Sequence, residues 1–193
     1  MLPVQLAQVP ALPLTSERKF INMEKNLRIA AIVALTQNAK ARLGKTQIQK
    51  LVYFVQDAGV PLEYKYEIYH YGPYSFDLSR DLSSLDGLGV LNIKSDPKGF
   101  GFDISVGKFA EKFKLEAKHQ KKIEKVIDQF GLNTAAELEV KATIHFVYSV
   151  IKKKSATGKL RSEVIQKVGA LKPRFTKDFI KNCYVNLEQA SWI

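Results

Sequence analysis

Several residues in this chain are of types that do chemistry, and their spacing decides what chemistry they can do. Arg42-Leu43-Gly44-Lys45-Thr46 finishes as a phosphate-binding loop finishes, with a lysine and a hydroxyl after a glycine. That loop needs another glycine five residues before Gly44 and a strand leading into it. Ala39 stands at that position, and the residues before it pattern as a helix, so this loop is excluded. Gly87-x-Gly89 and Gly99-x-Gly101 are too short for a dinucleotide fingerprint, and neither sits between a strand and a helix. His70, His119 and His145 are dispersed, no Cys/His pair has zinc-ligand spacing, and no Gly-x-Ser-x-Gly elbow occurs. Asp77 and Asp81 lie one helical turn apart, where paired carboxylates do acid–base work. Near a helix start, however, the macrodipole stabilises two solvated acids without any catalysis. His145 lies in the apolar run Ala142-Thr143-Ile144-His145-Phe146-Val147 and reads as a satisfied core histidine. Cys183, the sole cysteine, reads as a small buried hydrophobe. No catalytic residue, metal site or cofactor is expected.

Binding residues stand out more clearly. Six of the eight tyrosines lie between Tyr53 and Tyr74. In Tyr64-Lys65-Tyr66-Glu67-Ile68-Tyr69-His70-Tyr71, strand alternation places Tyr64, Tyr66, Ile68 and His70 on one face and Tyr69 and Tyr71 on the other. These rings either pack a small sheet or anchor a partner. The helix that follows carries Ser79, Arg80, Ser83 and Ser84 opposite its leucines, the face that reads a groove in a DNA-binding winged helix. A lysine-rich stretch bears Lys108, Lys112, Lys114, Lys118, Lys121, Lys122 and Lys125, offset in part by Glu111, Glu116 and Glu124. Lys108, Lys112, Lys118, Lys121, Lys122 and Lys125 are the candidates for contact with nucleic acid.

The elements that must position these groups are mostly helices. A densely apolar helix is expected at about 25–38, and an amphipathic one at about 46–58 with Ile48, Leu51, Val52 and Val55 on its stripe. The tyrosine strand spans 64–71, and Gly72-Pro73 turns the chain. Ser75 caps a helix to about 87 whose buried stripe is Leu78, Leu82 and Leu85. Residues 90–106 read as a hairpin around Asp96-Pro97-Lys98-Gly99. The rest is helical: about 107–130, a helix opened by the Thr134-x-x-Glu137 capping box and running to about 154, and shorter ones near 160–170 and 176–189. Lys152-Lys153-Lys154-Ser155-Ala156-Thr157-Gly158 is the expected hinge. The fold class is therefore mainly α (α+β): a winged-helix-like unit at 23–106, whose small antiparallel sheet the tyrosine strand completes. A C-terminal helical bundle at 107–193 packs on it as one compact domain.

With 46% apolar and 25% charged residues, 193 residues can bury a real core. No apolar run approaches a membrane span. A single cysteine precludes an internal disulfide and fits a reducing compartment, so a cytoplasmic location is expected. The net charge of +11 is uneven: residues 107–177 hold 17 Lys/Arg against 7 Asp/Glu, which favours acidic partners. Residues 1–22, with Pro3, Pro10 and Pro13, read as a flexible leader or as an over-called start ahead of Met23.

Four blocks carry a family resemblance: Gln49-Lys50-Leu51-Val52-Tyr53-Phe54-Val55-Gln56, Tyr69-His70-Tyr71-Gly72-Pro73-Tyr74-Ser75, Leu78-Ser79-Arg80-Asp81-Leu82 and Leu85-x-x-Leu88-Gly89. In that order they resemble the YwgA-like proteins, related to the group carrying the Panacea (SocA-like) domain. The resemblance covers roughly residues 25–150. It implies a prokaryotic cytoplasmic protein, mostly helical, with no catalytic residues to carry over. Panacea-domain members act as antitoxins that bind a toxin protein, and a SocA-like member acts as a proteolytic adaptor. The expected function is thus a non-enzymatic protein-binding module, antitoxin-like or adaptor-like, with Tyr71, Gly72, Pro73, Tyr74, Ser75, Ser79, Arg80 and Ser83 at its surface. The alternative is a winged-helix DNA-binding regulator.

Overall fold

The computed structural model describes residues 16–39, 43–96, 101–110, 115–154 and 160–193. Helix α1 (Ser16–Asn38) begins well before residue 25, taking in part of the expected leader; residues 1–15 lie outside the described residues. Ile29, Ile32 and Val33 are fully buried on it, as its apolar density requires. Helix α2 (Lys45–Asp57) starts at Gly44, whose N–H donates to Gln47 Oε1 at 2.9 Å. Its buried arc includes Ile48, Leu51, Val52, Phe54 and Val55.

Strands β1 (Glu67–Tyr69) and β2 (Gly72–Tyr74) form a hairpin of their own, with Tyr69 opposite Gly72 and Glu67 opposite Tyr74. Helix α3 (Phe76–Gly87) is capped by Ser75, whose Oγ accepts from the Leu78 N–H. Strands β3 (Leu91–Ser95) and β4 (Phe102–Val106) form a second antiparallel hairpin. The turn residues 97–100 between them, Pro97 and Gly99 included, lie outside the described residues.

This corrects two expectations. The tyrosine strand does not run from 64 to 71, and it does not join the β3–β4 hairpin: the two sheets are separate, each of two strands. Both backbone polar groups of Tyr64 are already taken, because Gln56 Nε2 donates to its carbonyl and Gln56 Oε1 accepts from its N–H. The helix α2 amide thus stands where a neighbouring strand would. The turn also falls two residues earlier than Gly72-Pro73. His70 and Tyr71 make it, with φ below zero, and Gly72 follows at φ +87°.

Helices α4 (Ala117–Phe130), α5 (Ala135–Lys154), α6 (Leu160–Leu171) and α7 (Lys177–Gln189) complete the chain. The expected capping box opens α5: the Thr134 N–H donates to Glu137 Oε2 at 2.8 Å, and the Glu137 N–H donates back to Thr134 Oγ1. Residues 155–159, most of the expected hinge, lie outside the described residues. One hydrophobic cluster runs from Ile29 to Leu187. At its heart Phe54 of α2 stacks on Phe130 of α4 at 4.1 Å, and Trp192 meets both rings edge-on. The fold is mainly α with two small antiparallel sheets.

Candidate functional site

The β1–β2 hairpin is too short to hold itself, and buried polar side chains fix it from beneath. Gln49 and Lys50 sit on the buried arc of α2. Gln49 donates to the Ser75 carbonyl and accepts from the Ser75 N–H, both at 3.0 Å. Lys50 Nζ donates to the Pro73 carbonyl at 2.8 Å. Lys172, just past α6, donates to the His70 carbonyl at 2.6 Å. Between the two lysines lies Glu139 of α5, 3.1 Å from Lys172 Nζ through Oε1 and bonded to Arg174 through Oε2. Lys50, Glu139 and Lys172 are each at most 3% exposed. Burial lowers the Lys50 pKa to about 7, with Glu139 opposing the shift and Lys172 adding to it. Gly72 lies against α5 so closely that a Cβ there would meet Thr143 Oγ1 at 2.7 Å.

Held in this way, the hairpin presents aromatic rings outward. Tyr69, Tyr71 and Phe76 are 47, 54 and 50% exposed, and Tyr74 is half-buried. Tyr69, Tyr74 and Phe76 form a triad with centroids 5.0 to 5.8 Å apart. Arg174, anchored by Glu139, lies over the Tyr71 ring at 5.2 Å and over Phe175 at 4.7 Å. Beyond Phe76 a shallow depression continues along α3, lined by Ser79, Arg80, Ser83 and Ser84. The Ser83 and Ser84 hydroxyls bond back to the carbonyls of Ser79 and Arg80, and Arg80 pairs with Asp77. The surface combines Tyr, Phe and Arg side chains, with Arg80 paired to Asp77 and Arg174 to Glu139.

The residues expected at a partner surface therefore divide. Tyr71, Tyr74, Ser79, Arg80 and Ser83 surround this platform. Gly72, Pro73 and Ser75 are buried and serve as fixings for it. Tyr69, one of the strand rings that the sequence offers as anchors, belongs to the platform, and so do Phe76 and Arg174, which the sequence does not single out. The candidates for nucleic-acid contact divide too. On α4, Lys121 and Lys125 are exposed, while Lys118 pairs with Glu116 at 2.8 Å and Lys122 donates to the Gly59 carbonyl at 3.0 Å. Lys108 is exposed, and Lys112 lies outside the described residues.

The other chemistry-bearing groups are engaged separately. Asp77 holds Arg80, whereas Asp81 accepts from the Tyr64 hydroxyl at 2.7 Å and pairs with Lys25 at 2.9 Å, so the two acids do not act as a pair. His145 is buried with both nitrogens occupied: Nδ1 meets the Tyr53 hydroxyl at 2.8 Å and Nε2 lies 3.3 Å from Asp57. Burial beside Asp57 pushes the Tyr53 pKa upward, so the phenol stays protonated and is no nucleophile at neutral pH. Burial raises the Cys183 thiol to about 11, which keeps it unreactive. Among the described residues no group of three His, Cys, Asp or Glu side chains is placed to hold a metal, and no helix is long and apolar enough to cross a membrane.

The chain matches no family model. It is 33% identical over 57 residues to a Bacillus subtilis (strain 168) protein described as "Uncharacterized protein YwgA". The similarity covers 30% of this chain and 34% of YwgA, about a third of that protein's length.

Proposed function

We propose that the protein is a non-enzymatic protein-binding module, antitoxin-like or adaptor-like, that contacts its partner through Tyr69, Tyr71, Tyr74, Phe76 and Arg174. The observation that carries the reading is the contrast within one hairpin: a backbone fixed by buried Gln49, Lys50 and Lys172, and side chains left outside. Preorganised aromatic anchors lose little freedom on binding, which favours affinity. The resemblance to the Panacea (SocA-like) group belongs to this reading and supplies the class of partner, a toxin or a protease substrate. The separate engagement of Asp77, Asp81, His145 and Cys183 supports a role without catalysis. The test is capture from native cells by the wild-type chain and by a Tyr69→Ser/Tyr71→Ser/Phe76→Ser variant. A stoichiometric partner should be recovered by the first and lost by the second; equal recovery by both would refute the platform.

A second reading, a winged-helix regulator on DNA, is favoured by the Lys118, Lys121, Lys122 and Lys125 stripe on the outer arc of α4. It requires duplex affinity that survives near-physiological salt. Replacing Lys121 and Lys125 should then weaken all sequences alike, and Arg80→Ala should relax sequence preference. Anisotropy that shows binding only at low salt would remove this reading.

A further inference from the structure

A second groove lies between α6 and α7, away from the β1–β2 hairpin residues. Its volume is about 720 Å³. Ile165, Phe175 and Ile180 give it an apolar floor, Lys177 and Lys181 lie along it, and among the described residues no carboxylate lines it. Lys181 has only a loose pairing with Asp178, 3.3 Å away and largely solvated, and Lys177 is exposed.

Gly169 also lines this groove. It sits inside α6 with an ordinary helical φ, where glycine weakens a helix relative to alanine. The usual reason for such a glycine is a neighbour that comes too close for a side chain. Here a Cβ would find nothing within 4 Å. Nothing described in the chain uses the room that Gly169 leaves, and that room faces the groove.

We infer that the α6–α7 groove is a docking site for an acidic amphipathic helix of a protein partner, its apolar face on Ile165, Phe175 and Ile180 and its carboxylates on Lys177 and Lys181. Leu or Phe anchors at i, i+3, i+4 and i+7 would lie between the two helices as in other helix-in-groove complexes. Two lysines over an apolar floor give a weak phosphate track but a good match to such a helix. The groove is joined to the aromatic platform by Lys172-Pro173-Arg174-Phe175, of which Lys172 holds the His70 carbonyl and Arg174 covers Tyr71. The inference concerns a different surface from the platform and is tested apart from it.

The probe is a fluorescein-labelled helical peptide with Leu at the anchor positions and Glu elsewhere, titrated against the full chain. A second peptide carries Lys in place of Glu. The Glu peptide should bind at least about tenfold more tightly than the Lys peptide. Gly169→Trp, whose Cβ would meet nothing within 4 Å, should weaken the Glu peptide at least about tenfold while the melting temperature holds. Lys177→Glu/Lys181→Glu, two exposed changes, should do the same. Tyr69→Ser/Tyr71→Ser/Phe76→Ser should leave peptide binding unchanged, which separates a failure here from a failure of the platform. Equal binding of the two peptides, indifference to both groove variants, or displacement of the Glu peptide by duplex DNA would each overturn the inference.

Discussion

Lys50 is the residue on which the hairpin's position depends most. Its ammonium is buried near Glu139 and Lys172, and burial brings its pKa down to about 7 against 10.5 for a free lysine. Between those values the unfolded chain binds a proton that the folded chain does not, so stability from this group rises with pH. Cys183 acts oppositely: its raised pKa costs stability as pH climbs from 9.0 toward about 11. The useful window is thus pH 7 to 9. Urea unfolding there should show stability rising by up to about 1.4 kcal/mol per pH unit. Lys50→Met should flatten that slope; an unchanged slope in the variant would mean that Lys50 is not its source. The sequence contained a signal for this cluster that periodicity alone passes over. Lys50 sits on the apolar arc of α2 and Glu139 between Leu138 and Val140, charged residues at core positions. The groups that Lys50 and Lys172 donate to, the carbonyls of Pro73 and His70, are backbone groups and carry no residue signature.

At the scale of the element, the β1–β2 hairpin owes its shape to one glycine and to the helices beneath it. Gly72 has φ +87° and lies 2.7 Å, by its would-be Cβ, from Thr143 Oγ1. Gly72→Ala should destabilise the chain by at least about 1 kcal/mol, since it meets both a disfavoured φ and a packed helix. Chemical denaturation measures this directly, and a change within about 0.5 kcal/mol would show that the turn relaxes away from α5. Helices α2, α3, α5, α6 and α7 lie close to where apolar period and caps put them, whereas α4 begins at Ala117 and not near 107, because the described residues 107–110 form a turn after β4. Ser75, Thr134 and Gly59 mark boundaries that a sequence states plainly. The tyrosine segment was misread because β propensity and alternation promise a strand without naming its neighbour. Gln56 filled the neighbour's place for Tyr64, and that substitution of a side-chain amide for a strand is a tertiary fact.

For the whole molecule, the single core from Ile29 to Leu187 and the Phe54–Phe130–Trp192 cluster bind the first helices to the last residues of the chain. The same closure brings Lys172 and Arg174, far along the chain, under and beside a hairpin at residues 67–74. The Tyr-Gly-Pro-Tyr-Ser block was visible in the sequence as a candidate site. That its Gly, Pro and Ser face inward while Tyr69, Tyr71, Tyr74 and Phe76 face out was not, because exposure is settled by what packs against each residue. These rings are the proposed contact with a protein partner. The most direct test is calorimetric titration of the purified, reconstituted partner into wild-type chain, the Tyr69→Ser/Tyr71→Ser/Phe76→Ser variant and a Lys121→Ser/Lys125→Ser variant. Exposed substitutions of this kind leave folding nearly untouched, so losses report on contact. The expected result is that the aromatic variant weakens binding by about a hundredfold or more and the lysine variant by less than about threefold. Full affinity in the aromatic variant, with loss in the lysine variant, would contradict the account and assign binding to the basic helix.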